Sequence, residues 1–96
     1  MAVVVNHLRL SDPLTDETAQ AFRDFVPRIL DGGATAAQVV RVDDTHLVLI
    51  LQFGSAEDAD RVARGVGGPW MREHIVPLLA RDPERSGGEV IASATV

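Results

Sequence analysis

The sequence predicts an α+β domain in which a four-stranded antiparallel sheet carries two helices on one face. Three observations predict it: segments that alternate apolar and polar residues, helical spacing between them, and the order strand, helix, strand, strand, helix, strand over 96 residues. About 100 to 200 residues is the usual size of one domain, so residues 1–96 read as a single unit.

The first strand is Ala2 to Leu10, where three consecutive valines lead into alternation and β-branching favours extended backbone. Asp12-Pro13 ends it. From Thr15 to Asp31, Ala19, Phe22, Val26, Ile29 and Leu30 recur at three- and four-residue spacings, which makes an amphipathic helix. Asp16 and Glu17 suit its first turn, Gly32-Gly33 supplies the stop, and Pro27 predicts a kink near Phe22 or Arg23. Ala36 to Val42 alternates as a second strand, Asp43-Asp44-Thr45 turns the chain, and His46 to Phe53 follows as its hairpin partner. The unbroken apolar run Leu47 to Leu51 requires cover on both faces, which places this strand centrally in the sheet.

Ser55 to Asp58 has the reciprocal capping pattern of a helix start, and that helix is expected to reach Val66. Gly67-Gly68-Pro69 is expected to break it, with a second helical piece from Pro69 to Arg81. Asp82-Pro83 ends that piece, and Glu89 to Val96 (EVIASATV) alternates as the fourth strand. Phe25 to Leu30 in the first helix echoes Ile75 to Ala80 in the second, as two related strand-helix-strand halves would. This is the ferredoxin-like split βαβ arrangement, βαββαβ, whose right-handed crossovers put both helices on one side.

Composition excludes several function classes. A formal net charge of -5 disfavours a surface that tracks phosphates, so no nucleic-acid partner is expected. Cys is absent, so no disulfide, thiolate nucleophile or thiolate metal site can form, which points to a cytoplasmic setting. All nine basic residues are Arg, which removes Schiff-base chemistry. No apolar stretch of about 18 residues spans a membrane, and Met1–Leu10 does not read as a signal peptide. His7 and His46, expected close on one face, lack a suitably spaced carboxylate, so no metal site is expected.

If the leucines of the first and third strands face the helices, the other sheet face carries Val3, Val5, Val39, Val48 and Ile50, with His7, Arg9, Arg41 and Gln52 among them. That face is too apolar for water, so a second copy is expected to cover it in a homodimer.

Trp70 and His74 are four residues apart, hence on one helical face that Leu78 continues. Asn6, between Val4 and Leu8, is expected to point under the helices, with Phe22 and Leu49 as apolar lining. Such a site suits a small flat aromatic molecule: Trp70 stacks, Asn6 donates to a carbonyl or developing enolate, and His74 takes a proton. The same residues have structural readings. Trp70 serves equally as core or interface, His74 as an exposed or helix-supporting residue, and water or a neighbour satisfies Asn6 as well as a ligand would.

The element order, the Asn in the first strand (Val5-Asn6-His7), the junction Gln52 to Ala59 and the segment Gly68-Pro69-Trp70-Met71-Arg72-Glu73-His74 together resemble the dimeric α+β barrel superfamily, in particular its antibiotic-biosynthesis-monooxygenase-like domains. The resemblance implies a homodimer that binds, and oxidises without a cofactor, a small aromatic or polyketide-type molecule. It equally admits a non-catalytic module like the stress-responsive members. In the heme-degrading branch Asn6 and His74 match the family's Asn and heme-ligating His, but the family's Trp falls near Gly65 here, while the chain's only Trp is Trp70.

Overall fold

The computed structural model describes all residues, Met1–Val96. Four strands, β1 (Ala2–Arg9), β2 (Ala34–Asp43), β3 (His46–Phe53) and β4 (Glu84–Glu89), form an antiparallel sheet in the order β2-β3-β1-β4. Between them lie α1 (Asp16–Gly32), α2 (Ala56–Val62), a π-helical turn (Ala63–Gly67), α3 (Gly68–His74) and a 3-10 turn (Val76–Leu78). This is the α+β, ferredoxin-like arrangement, with β1 and β3 central. No helix is long and apolar enough to cross a membrane.

Helix α1 starts where the Thr15 hydroxyl accepts the Thr18 amide at 3.1 Å. It ends at Gly33, whose φ of 132° only glycine adopts without strain. The helix runs through Pro27, which cannot return a hydrogen bond to Arg23. Its buried Phe22, Phe25 and Ile29 meet Val4, Leu8, Leu47, Leu49, Leu51 and Phe53 from the sheet, and these side chains make most of one core. In the β2–β3 turn, Thr45 donates its amide to the Asp43 carboxylate at 2.9 Å. That bond above all holds the Asp43 carboxyl below its ordinary 3.8.

Three expectations need correction. First, the second helical region does not break at Gly67-Gly68-Pro69. Pro69 has no amide to return to Gly65, and the chain absorbs the missing bond in the π turn, where the Gly68 amide reaches back to the Ala63 carbonyl. A Cβ on Gly68 would lie 2.6 Å from that carbonyl oxygen, so the turn requires glycine. The α-helix then stops at His74, not Arg81: Pro77 has no amide to return to Glu73, the chain tightens into the 3-10 turn Val76–Leu78, and Leu79 is extended at φ -83°, ψ 143°.

Second, the fourth strand is Glu84–Glu89, not Glu89 to Val96. Glu89 already pairs with Ala2 at the start of β1, so beyond the Val90 amide, which donates to the Met1 carbonyl at 2.9 Å, the chain has run past the end of its partner strand. Ile91 is consequently 96% exposed despite the alternating sequence.

Third, β2 is one residue out of phase with the expectation. Val39 pairs with Leu49 and Arg41 with Leu47, on the helix side, while Gln38 and Val40 stand opposite Ile50 and Val48 on the other face. Because side chains alternate with period two, such a one-residue offset exchanges the faces.

Candidate functional site

The helix-facing side of the sheet bears one polar residue in the middle of β1. Asn6 pairs with Leu49 on β3 and with Arg85 on β4, so the three side chains point to the same side. Above them, α1 and the α2–α3 region leave a cavity of about 350 Å³, within the range of small-molecule sites. Phe25 and Ile29 of α1, Leu49 and Phe53 of β3, and Val62 and Met71 supply much of its apolar wall. Its polar side chains are Asn6, Arg72 and Arg85 alone. The half-buried Asn6 amide makes no side-chain hydrogen bond within the chain, so its donor and acceptor remain open to a guest.

The structure brings Asn6 and Leu49 to this cavity but takes the other expected residues elsewhere. Trp70 is 8% exposed. Its indole stacks on Phe25 with ring centroids 3.9 Å apart and planes 3° from parallel, and Phe22 tilts against it at 5.5 Å. It therefore stands behind Phe25, on the far side of the wall, where it fixes the ring that the cavity sees. His74, one turn on, follows the same helical face; its ring centroid is 5.0 Å from that of Trp70, its side chain is 46% exposed, and Glu73 lies 3.9 Å away. With Leu78 it borders a separate depression at the start of α1, and Phe22 borders another between α1 and β2.

The expectation that Trp70, His74 and Asn6 converge is thus corrected. With the Trp70 face of α3 seated against α1 by the Phe25 stack, the next residues, Met71 and Arg72, border the cavity instead. This separation does not fit a heme held by His74 beneath Asn6, since the two residues share no cavity.

Arg72 and Arg85 were missed at the sequence level. Arg72 sits four residues after Gly68, and its guanidinium passes 3.2 Å from where a Gly68 Cβ would be, so the glycine leaves room for it at the cavity mouth. Arg85 was hidden by placing the last strand five residues late; the observed register sets it opposite Asn6.

On the other face, His7 Nδ1 and His46 Nε2 lie 3.0 Å apart. One ring donates and the other accepts, which occupies one nitrogen of each imidazole. No cluster of three or more His, Cys, Asp or Glu stands ready to hold a metal ion.

No protein-family model matches the sequence, and no curated protein resembles it. Solved structures do resemble its fold. A putative antibiotic biosynthesis monooxygenase from Nitrosomonas europaea superposes with a TM-score of 0.79 at 16% identity, covering 96% of this chain and 100% of its own. A monooxygenase of Streptomyces coelicolor, solved in complex with the ligand nanaomycin D, gives 0.79 at 18% identity over 99% of this chain and 91% of its own. SnoaB, a cofactor-independent oxygenase from Streptomyces nogalater, gives 0.79 at 14% identity over 96% and 94%. The chain therefore has the fold of the antibiotic biosynthesis monooxygenase structures.

Proposed function

We propose that this chain is a cytoplasmic, homodimeric, monooxygenase-like protein that takes a small aromatic, polyketide-type molecule into the Asn6 cavity and oxidises it without a cofactor. The observation that carries the reading is the apolar cavity of about 350 Å³ with an unpartnered amide on its sheet side. The fold shared with a cofactor-independent oxygenase and with a ligand-bound monooxygenase supports it.

In such a site Asn6 donates to the carbonyl of an anthrone-like ring and stabilises the enolate formed when a ring proton leaves. The electron-rich enolate reduces dioxygen itself. One oxygen atom enters the ring carbon as a carbonyl, the other departs as water, and the substrate supplies all the electrons. No imidazole or carboxylate lines the cavity, so the proton leaves through water at the mouth.

That same lack of an acid-base group favours a second reading, a binding module without turnover. Oxygen uptake separates the two. With a dihydroxyanthrone as probe and chelator present, the catalytic reading expects uptake above the spontaneous rate and its loss in Asn6→Ala; saturable binding without added uptake leaves the module.

The sheet supports the dimer. Along β3 the residues facing the helices are buried and those facing away only half-buried, and on β2 Val40 and Val42 remain 41% and 56% exposed. Val3, Val5, Val40, Val48 and Ile50 share that uncovered side, and a second copy's sheet is the cover proposed for it.

A further inference from the structure

The charge at the mouth of the cavity narrows the ligand class further than its shape does. This chain has fourteen acidic residues, yet none of them lines the cavity, whereas two of its nine arginines do. Three other arginines lie against carboxylates, Arg41 at Asp44, Arg61 at Asp58 and Arg81 within 3.9 Å of Glu84, and none of those three lines the cavity. Arg72 and Arg85 have no such partner and make no side-chain hydrogen bond within the chain. They come from opposite sides, one from α3 and one from β4, onto the same opening.

Two guanidinium groups and no carboxylate make this apolar opening electropositive, which favours an anion there over a neutral or cationic guest. Both side chains are exposed at the rim while Asn6 is half-buried, so the anion belongs at the mouth and the apolar body inside. Guanidinium favours a planar, two-oxygen acceptor, which it can grip through parallel hydrogen bonds.

We infer that the cavity takes an aromatic carboxylate, with Arg72 and Arg85 holding the carboxylate at the mouth and the ring system lying against Phe25, Leu49 and Met71. The inference rests on the cavity being the binding site, as proposed above, and adds the charge of the guest. Neither arginine touches the reacting carbon in this arrangement. They set which molecules enter and which end enters first.

The test uses 2-naphthoate and its neutral twin 2-naphthamide as probes, titrated calorimetrically into the full chain at low salt. The acid should bind about tenfold tighter than the amide, because charge-assisted bonds exceed neutral ones, and the gap should shrink as salt rises. Arg72→Met and Arg85→Met should each weaken the acid about fivefold or more and leave the amide unchanged, since Met keeps the apolar stem and drops the charge. Arg64→Met, outside the cavity, should change neither. Equal binding of acid and amide, or an equal loss in the Arg64 variant, would overturn the inference while leaving the cavity reading in place. If neither probe binds, both fail.

Discussion

Replacing Trp70 separates a core role from a ligand platform. The indole is 8% exposed, stacked on Phe25 at 3.9 Å and tilted against Phe22 at 5.5 Å, so truncation removes a two-ring side chain from a packed aromatic trio. A buried aromatic cut to alanine costs about 3–5 kcal/mol, which already includes a cavity contribution. Against a total of about 5–15 kcal/mol for a domain, that is a large share. At about 4–8 °C per kcal/mol for a chain of this size, Trp70→Ala should lower the Tm by about 20 °C. Trp70→Phe keeps a ring on Phe25 and should cost about 1–2 kcal/mol, as a partial core truncation does. The assay is thermal unfolding followed by circular dichroism at a fixed protomer concentration, since a dimer's Tm depends on it, with probe binding measured on the folded Phe variant. If Trp70→Ala melts within a few degrees of the parent while binding collapses, the indole faces the ligand and the reasoning is refuted.

Four further outcomes follow from the same geometry. Asn6→Leu fills the site with an apolar side chain of similar size and ends the exposure of an unpaired amide to an apolar wall, so it should raise stability by about 1 kcal/mol and abolish aromatic binding; a loss of stability would mean that Asn6 has a structural partner. Gly68→Ala meets the Ala63 carbonyl oxygen at 2.6 Å, and the overpacking, about 1–3 kcal/mol, should outweigh the gain of about 1 kcal/mol in helix propensity; a higher denaturation midpoint would contradict this. The Asp43 carboxyl is held below 3.8 chiefly by the Thr45 amide, so its stabilisation is present above pH 3.8 and disappears as pH falls through the lowered value; Asp43→Asn should flatten that part of the acid-unfolding curve, and an unchanged curve would remove the link. Val48→Asp, on the uncovered sheet face, should convert the dimer to a monomer in native mass spectrometry, and a persisting dimer would place the interface elsewhere.

The fold was legible because its signals are strong and local. Three valines then alternation in β1, the Thr15 start and Gly33 stop of α1, and the leucine run of β3 each depend on neighbours within a few residues. What could not be read depends on partners far along the chain. Register decided β4: EVIASATV looks more like a strand than ERSGGE, but only the latter lies beside β1, where backbone hydrogen bonds suffice. Phase decided β2, where Val39 and Val40 are equally apolar and only pairing tells which faces the helices.

The site followed the same rule. Asn6 was found because a lone amide among apolar strand residues is conspicuous in any register. The four-residue spacing of Trp70 and His74 did put them on one face, with their rings 5.0 Å apart, but which way that face turns was set by Phe25, forty-five residues earlier in the chain. Arg72 and Arg85 carry no local signal. They become a pair only through the fold.

The central claim is that the Asn6 cavity receives the ligand. Asn6 is the chain's one asparagine, so its side-chain amide gives identifiable signals in a proton–nitrogen correlation spectrum. Titrating 2-naphthoate into the labelled protein should shift those signals together with the backbone amides of Gly67, Gly68, Met71 and Arg85, and leave the amide of Thr18 in place. Shifts gathered around Thr18, His74 and Leu78, with Asn6 unmoved, would put the ligand at the start of α1 and contradict the account.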